Sequence, residues 1–231
     1  MPGVLRDALS SRQSTPGGLR ITRPARFENP DYSCAAMARR LVFMTRHGET
    51  DWNVEGRWQG HTDIPLNENG RAQARAVAEA LRDEGVPAIV SSDLARAHET
   101  AQIIGASLGI AVAYVDADLR ERMFGVFEGL TRAECERLHP DAWRAWVEQQ
   151  RPAAGVESPE TVAARVTAAI GRAAERFGRD DAPVLLVTHG GALRTAVRIA
   201  LGTQPAPIAN GAIWRIEWDG RIADARLHAP R

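Results

Sequence analysis

The sequence predicts an α/β protein: a three-layer α/β/α sandwich with a mostly parallel central sheet and a C-terminal hairpin. Short continuous apolar runs, typical of strands covered on both faces, alternate with longer segments whose apolar residues recur at helical spacing. This alternation favours parallel strands joined by helices on both faces of the sheet. The last two apolar segments are joined by Asp219-Gly220, a dipeptide typical of a tight hairpin turn.

Six segments carry the strand pattern. The parallel strands are predicted at residues 41–45, 88–91, 112–115 and 184–187, and the hairpin at 213–218 and 222–227. The segment at 184–187 is the most apolar of them, which predicts a strand at the centre of the sheet.

Apolar residues three and four positions apart predict the helices. Ala74, Val77, Ala78 and Leu81 form one stripe, with Asn67 placed to cap the helix and Gly85 placed to end it. Further helices are predicted at 97–108, 162–177 and 193–201, the first of them ending at Gly109. The polar middle of the chain is predicted to be helical around 131–149, interrupted by Pro140.

Composition excludes several classes of protein. The chain has 29 basic and 29 acidic residues, and every basic residue is an arginine. A net charge of zero argues against non-specific nucleic-acid binding, which needs a basic surplus. No apolar run approaches the length that spans a bilayer, and the N-terminus has no signal-peptide pattern, so we expect no membrane association. Cys34 and Cys135 are too few for a disulfide scaffold, which favours a reducing cytoplasm.

The chain divides near residue 38. Residues 1–38 are rich in Pro, Gly, Ser and Arg and show no sustained period, which predicts a disordered tail. Residues 39–231 carry the alternating pattern and form one predicted domain. The sequence leaves the oligomeric state open between a monomer and a homodimer.

Polar residues follow the predicted strands where each one ends. Arg46 and His47 follow the first strand, and His189 and Gly190 follow the most apolar one. Arg96 lies just after the second strand, and Glu121 a short distance after the third. Because ligands of open α/β sheets bind beyond the carboxyl ends of the strands, we expect these side chains to meet at one edge.

Two arginines and two histidines without an acidic cluster indicate a site for an anion. The planar guanidinium group matches phosphate oxygens in pairs, and glycine beside each histidine leaves room for a ligand near the backbone. A lone histidine at a strand end is more often structural, but two at one edge favour function. A metal site is the rival interpretation, but no close pair of metal-ligating histidines exists, so we predict no metal and no cofactor.

These residue types predict phosphoryl transfer. A neutral imidazole at His47 can attack phosphorus and form a phosphohistidine. The cationic groups offset charge on the phosphoryl oxygens, and Glu121 can give a proton to the leaving oxygen and then activate water.

Four blocks in this order resemble the histidine phosphatase superfamily, in its phosphoglycerate mutase-like branch. They are LVFMTRHGETDWN, SSDLARAHETA, LRERMFGVFEG and LLVTHGG. The resemblance implies that 39–231 is a histidine phosphatase-like catalytic domain. It further implies that His47 is the phosphorylated nucleophile and Glu121 the proton donor.

The resemblance also implies roles for the surrounding residues. Arg46, Arg96 and His189 would form the phosphate pocket, and Asn53, Gln59, Gly60 and Gly190 would bind substrate. Glu49 and Glu128 are expected to brace loops and not to react.

Departures from the mutases of this branch favour a compact phosphatase. The interval from Glu121 to His189 lacks a long insertion, Gly191 replaces an asparagine, and Phe124 replaces a tyrosine. We therefore expect a metal-independent phosphatase of a small phosphate ester. A phosphoglycerate mutase and a non-catalytic phospho-ligand module remain the alternatives. Met123, Val126, Phe127, Trp143 and Trp146 are candidates for an apolar rim, and the two tryptophans are equally explained by helix packing.

Overall fold

The computed structural model describes residues 39–149, 151, 153–179 and 182–229. The tail predicted at 1–38, with Cys34, lies outside these residues, so that prediction stays a prediction. Within the described part of the chain, no helix is both long enough and apolar enough to cross a membrane.

A six-stranded sheet forms the centre of the fold. Its strands lie in the order β3-β2-β4-β1-β5-β6. The first four of these are parallel; β5 joins β1 antiparallel, and β6 joins β5 antiparallel. The bounds are β1 Arg40–Arg46, β2 Ile89–Ser91, β3 Val112–Val115, β4 Val184–Thr188, β5 Ile213–Trp218 and β6 Ile222–Leu227. The mostly parallel sheet and the C-terminal hairpin are confirmed, and so is the central place of β4.

Seven helices accompany the sheet in the described residues. Their bounds are α1 Asp51–Val54, α2 Glu68–Ala80, α3 Ala95–Leu108, α4 Arg132–Leu138, α5 Pro140–Val147, α6 Pro159–Phe177 and α7 Gly190–Leu201. Two of the predicted caps act as expected: the Asn67 side chain accepts a hydrogen bond from the Gly70 amide, and Gly109 ends α3 in the left-handed conformation. The predicted end of α2 at Gly85 is wrong, because the helix ends at Ala80 with Leu81 as its cap. Pro140 takes the first position of α5, so it separates two helices where the sequence predicts one interrupted helix.

The two faces of the sheet bury separate cores because successive strand residues point to opposite sides. On one face, Val42 and Met44 of β1 pack with α6 and α7. On the other, Phe43 packs with residues of α2 and α3. This is the three-layer sandwich that the sequence predicts.

A third apolar cluster stands apart from the sheet. It is built from α4, α5 and neighbouring loops, and its buried members are Phe124, Phe127, Cys135, Trp143, Ala153 and Val156. We call it the aromatic cluster, because the rings of Phe127, Trp143 and Trp146 pack within it at centroid distances of 5.1–5.6 Å. The partly buried Trp58 packs against the same cluster.

Candidate active site

The pairing of β1 with β4 brings the two histidines together. These strands are parallel neighbours with Arg46 opposite Thr188, so the next residue of each strand, His47 and His189, leaves the sheet at the same edge. The His47 amide donates to the Thr188 carbonyl, and the two imidazole centroids lie 5.1 Å apart. The structure thus joins residues that are far apart in the chain.

His47 presents a lone pair. Its Nδ1 lies 2.6 Å from the Gly48 carbonyl oxygen, and because a carbonyl only accepts, Nδ1 carries the proton. In a neutral ring this leaves Nε2 unprotonated. Burial lowers the pKa of His47 well below 6.5, and the charges of Arg96 and Arg46 lower it further. The imidazole is therefore neutral at pH 7.

Arg96 is fully buried at the start of α3. Its Nη1 donates to the Thr62 carbonyl and its Nη2 to the Gly60 carbonyl, while Nε has no partner among the described residues. Burial lowers the pKa of Arg96 to about 10, so the guanidinium stays charged at neutral pH. No carboxylate of the described chain forms a direct ion pair with it; Glu121 and Asp63 act only at longer range.

Arg46 repeats this arrangement from the end of β1. Its Nη1 donates to the Ile208 carbonyl at 2.7 Å, and its Nε is a second buried donor without a partner among the described residues. Burial lowers the pKa of Arg46, and the charge of Glu121 opposes that shift. A partly buried and a fully buried cation, each with an unused Nε donor, therefore line the same pocket as His47.

His189 is fully buried behind the pocket surface. Its Nε2 lies 3.0 Å from the Ser92 hydroxyl, and its Nδ1 has no partner in the described part of the chain. Burial lowers the pKa of His189 well below 6.5, and the charges of Arg96 and Arg46 lower it further. This ring is also neutral at pH 7.

Glu121 reaches the site from the segment after β3. Its Oε2 accepts from the Gly191 amide at 2.9 Å and its Oε1 from the Arg122 amide at 2.7 Å. The side chain lines the same pocket as His47. Two backbone amides therefore hold a carboxyl group that has access to a ligand beside the imidazole.

The glycines after His189 make room for protein side chains as well as for a ligand. A Cβ at Gly191 would lie 2.5 Å from Glu121 Oε1, and a Cβ at Gly190 would lie 3.0 Å from Arg46 Cδ. A Cβ at Gly48 would lie 2.3 Å from the Gly70 carbonyl oxygen. The sequence interpretation, that glycine admits a ligand, fits Gly190, which lines the pocket. It describes only part of the role of these glycines, because they also leave room for protein atoms.

The structure separates the four predicted substrate-binding residues. Asn53, Gln59 and Gly190 line the pocket, whereas Gly60 lies outside its lining and holds Arg96 through its carbonyl. The Asn53 Oδ1 accepts from the Thr50 amide, which leaves its Nδ2 for the pocket. Gln59 Oε1 is buried without a partner among the described residues.

Two acidic residues brace the loops of the site, as expected. Glu128 accepts hydrogen bonds from the amides of His61, Thr62 and Phe124. Glu49 accepts from the Asn67 side chain and so ties the loop after β1 to the start of α2.

The predicted rim is wrong in its members. Phe127 is fully buried in the aromatic cluster, Trp143 nearly so, and Met123, Val126 and Trp146 are also outside the pocket lining. Packing is therefore the role of the two tryptophans. The pocket has a volume of about 230 Å³, and its outer part is lined by Arg57, Trp58, Phe124, Arg194, Pro207 and Ile208. The sequence singled out none of the six as a lining residue; Trp58 beside Gln59, and Arg194 in the first turns after His189, carried the available signal.

Within the described residues, no group of three or more His, Cys, Asp or Glu side chains is placed to hold a metal ion.

Comparison with known proteins identifies the family of the chain. The family described as "Histidine phosphatase superfamily (branch 1)" matches residues 42–228. A glucosyl-3-phosphoglycerate phosphatase of Mycobacterium tuberculosis is 46% identical over 180 residues, which are 75% of this chain and 78% of that protein. Phosphoglycerate mutase-like protein 4 of Arabidopsis thaliana is 38% identical over 175 residues, which are 74% and 73% of the two chains.

A solved structure shows the same fold. The mycobacterial glucosyl-3-phosphoglycerate phosphatase in complex with VO3 superposes with a TM-score of 0.71. It covers 82% of this chain and 98% of that one, with 36% identity over the structural alignment.

The chain belongs to branch 1 of the histidine phosphatase superfamily. Within that family it is a phosphomonoesterase, a phosphoric monoester hydrolase of the histidine type.

The contact between Gly191 and Glu121 predicts a defect confined to Glu121, the residue expected to donate a proton. Gly191→Ala should displace the carboxyl group and lower kcat about 10- to 100-fold, within the range of a general acid's contribution. Affinity for inorganic phosphate, measured as a competitive inhibition constant, should change little. Gly190→Ala is the matched control, since its Cβ meets Arg46 and should weaken phosphate binding instead. Equal loss of phosphate affinity in both variants would contradict this assignment.

The burial of His47 predicts that its imidazole binds a proton only at low pH. Burial and two neighbouring cations favour the neutral ring, so a proton should bind only at a pH well below 6.5. NMR titration of the imidazole should show no change for His47 as the pH falls from 8 through 6.5, with the signal identified by its loss in His47→Asn. Conversion to the charged form above pH 6 would refute the assigned environment.

Proposed function

We propose that this enzyme hydrolyses a small phosphate monoester through a phosphohistidine at His47, without a metal. The observation that carries the proposal is the Nε2 lone pair of a buried neutral imidazole between two guanidinium groups with unused donors. An anion in the pocket would satisfy those donors. The pocket would then hold a phosphoryl group within reach of the nucleophile.

The first step transfers the phosphoryl group to the protein. His47 Nε2 attacks phosphorus, a P–N bond forms, and the ester P–O bond breaks. The protonated Glu121 carboxyl group donates its proton to the leaving oxygen, which departs as an alcohol. Arg46 and Arg96 offset the charge on the phosphoryl oxygens.

The second step returns the enzyme to its starting state. The Glu121 carboxylate takes a proton from water as the water oxygen attacks phosphorus and the P–N bond breaks. Inorganic phosphate leaves, His47 is neutral again, and Glu121 is again protonated.

Replacement of the nucleophile tests this sequence. His47→Ala should reduce turnover of p-nitrophenyl phosphate at least about 10³-fold, because the covalent route is lost. Rapid quenching of the wild-type enzyme with ³²P-labelled substrate should trap an acid-labile, alkali-stable phosphoprotein that is absent from the variant.

EDTA treatment is the accompanying control. We expect the wild-type rate to survive it, and strong inhibition would support a metal-dependent reaction instead. Appreciable activity of purified His47→Ala would overturn the nucleophile assignment. A wild-type enzyme that releases no phosphate from any ester would support the phospho-ligand module.

One arginine of the pocket, Arg194, indicates the class of the substrate. Of the four arginines that line the pocket, Arg46 and Arg96 flank the nucleophile, and Arg57 forms ion pairs with Glu55 and Glu134. Arg194 donates from Nε to the Pro205 carbonyl, and its other nitrogens have no partner among the described residues. We infer that Arg194 binds a second anionic group of the substrate.

A carboxylate is the group we assign to Arg194. A guanidinium fork matches a carboxylate in a bidentate geometry. The phosphoglycerate in the name of the mycobacterial relative contains a carboxylate close to its phosphate. Trp58 and Phe124, which line the same pocket and pack against each other, offer apolar area for the rest of the molecule.

A matched pair of substrates tests this assignment. 3-Phosphoglycerate and glycerol 3-phosphate differ by a carboxylate in place of a hydroxymethyl group. The wild-type kcat/KM should favour 3-phosphoglycerate about ten-fold, the effect of one charge-assisted hydrogen-bonded pair. Arg194→Gln should abolish most of that preference.

Arg198→Gln is the control, because Arg198 lies one turn later on α7 and does not line the pocket. It should leave the preference intact. If Arg194→Gln kept the preference for 3-phosphoglycerate, Arg194 would not bind a second anionic group of the substrate. Counting 2-phosphoglycerate against free phosphate in the same assays separates hydrolysis from mutase activity; dominant isomerisation would favour the mutase.

The cytoplasm remains the proposed compartment. Within the described residues Cys135 is a free, buried thiol, as a reducing environment allows.

A further inference from the structure

The buried hydroxyl of Ser92 contacts the second histidine of the site. Ser92 and His189 are both fully buried, are 97 residues apart in the chain, and meet with 3.0 Å between Oγ and Nε2. Ser92 follows β2 directly, and its own amide donates to the Val187 carbonyl of β4. Backbone pairing therefore holds the hydroxyl in place beside the ring.

The surroundings of Ser92 determine the direction of this hydrogen bond. Apart from His189, Oγ has one hydrogen-bond neighbour in the described structure, the Leu94 amide at 3.4 Å, which can only donate. If Nε2 also donated, both the hydroxyl proton and the lone pair of His189 Nδ1 would lack a partner among the described residues, whereas a hydroxyl that donates to Nε2 leaves only the Nδ1–H group without one. An unsatisfied buried donor costs about 1–3 kcal/mol, so the favourable arrangement has the hydroxyl donating to Nε2.

This direction decides which nitrogen of His189 carries its proton. A neutral ring that accepts at Nε2 is protonated at Nδ1. Nδ1 is the buried atom without a partner among the described residues, and the ring lies beside that of His47. A phosphoryl group on His47 would lie close to this ring, and an Nδ1–H group could donate to one of its oxygens, whereas an unprotonated Nδ1 could not.

We propose that Ser92 is a positioning residue that sets the tautomer of His189, so that His189 donates a hydrogen bond to the phosphoryl group. The two histidines then have the same tautomer but opposite roles toward the phosphoryl group. Both are protonated on Nδ1, but His47 offers the lone pair of Nε2 and His189 offers the proton. Burial and the neighbouring arginines, which keep both rings neutral, support this division.

The tautomer can be read in the wild-type protein. Two-bond ¹⁵N–¹H NMR spectra of the imidazoles, at neutral pH without ligand, distinguish a protonated nitrogen from an unprotonated one. We expect His189 to be protonated on Nδ1 and bare on Nε2. A His189 proton on Nε2 in the wild-type spectrum would overturn the proposal. This measurement does not depend on the proposed function.

Substitution of Ser92 tests the consequence. In Ser92→Ala nothing in the described structure directs the proton to Nδ1, so the spectrum should show the other tautomer or a mixture. Affinity for inorganic phosphate should fall about ten-fold, the effect of one lost hydrogen bond to a charged group. Ser92→Thr, which keeps the hydroxyl, should restore both the tautomer and the affinity if it folds.

Ser91→Ala is the matched control. Ser91 is also fully buried, but its hydroxyl donates to the Ser92 carbonyl and does not contact His189. It should cost similar stability in thermal unfolding while leaving the His189 tautomer and phosphate affinity unchanged. Equal loss of phosphate affinity in Ser91→Ala and Ser92→Ala would reduce Ser92 to a packing role and contradict the proposal.

Discussion

The buried guanidinium group of Arg96 is the constraint on which the site depends. Removal of a cation from water costs several kcal/mol unless polar groups surround it, and here no carboxylate of the described chain pairs with it directly. The carbonyls of Gly60 and Thr62 offset part of that cost. The remaining cost is not offset by the protein, so the site stays positively charged with unused donors that an anion can satisfy. The neutrality of both histidines follows from the same burial and the same charge.

The loop that supplies these carbonyls is held by a residue that does not react. Glu128 receives the amides of His61 and Thr62 from one loop and the amide of Phe124 from another. It therefore fixes the acceptors of Arg96 relative to the segment that follows Glu121. His61 adds to this link, since its Nε2 contacts the Glu121 carbonyl. One hydrogen-bond network therefore positions both the Arg96 guanidinium group and the Glu121 carboxyl group.

The sequence predicted well the features that depend on local pattern. Strand ends, the Asn67 cap, the Gly109 stop and the hairpin turn each follow from short-range chemistry. The meeting of His47 with His189 was predictable, because parallel strands end at one edge of a sheet. The short helix α1 was missed since its capping box pairs Thr50 with Asn53, and not with the usual Glu or Gln.

Contacts between distant segments were beyond the sequence. Nothing in the sequence distinguishes Trp143, which only packs in the aromatic cluster, from Trp58, which packs against it and also lines the pocket. The same is true of Gly60, whose carbonyl turned out to hold Arg96, and of Ser92, which meets His189 across the sheet. Such roles are set by which loop folds over which, and period and composition carry no record of that.

The aromatic cluster has an evolutionary consequence. Phe124 is buried in it and also lines the pocket, while the sheet that carries the histidines packs in two other cores. Mutations in α4 and α5 can therefore reshape the outer pocket while β1 and β4 stay intact. One part of the ligand choice is therefore encoded apart from the reaction chemistry, while another part, Arg194, lies on α7 close to His189. Enzymes with this arrangement can evolve to act on a new substrate while their catalytic centre stays unchanged.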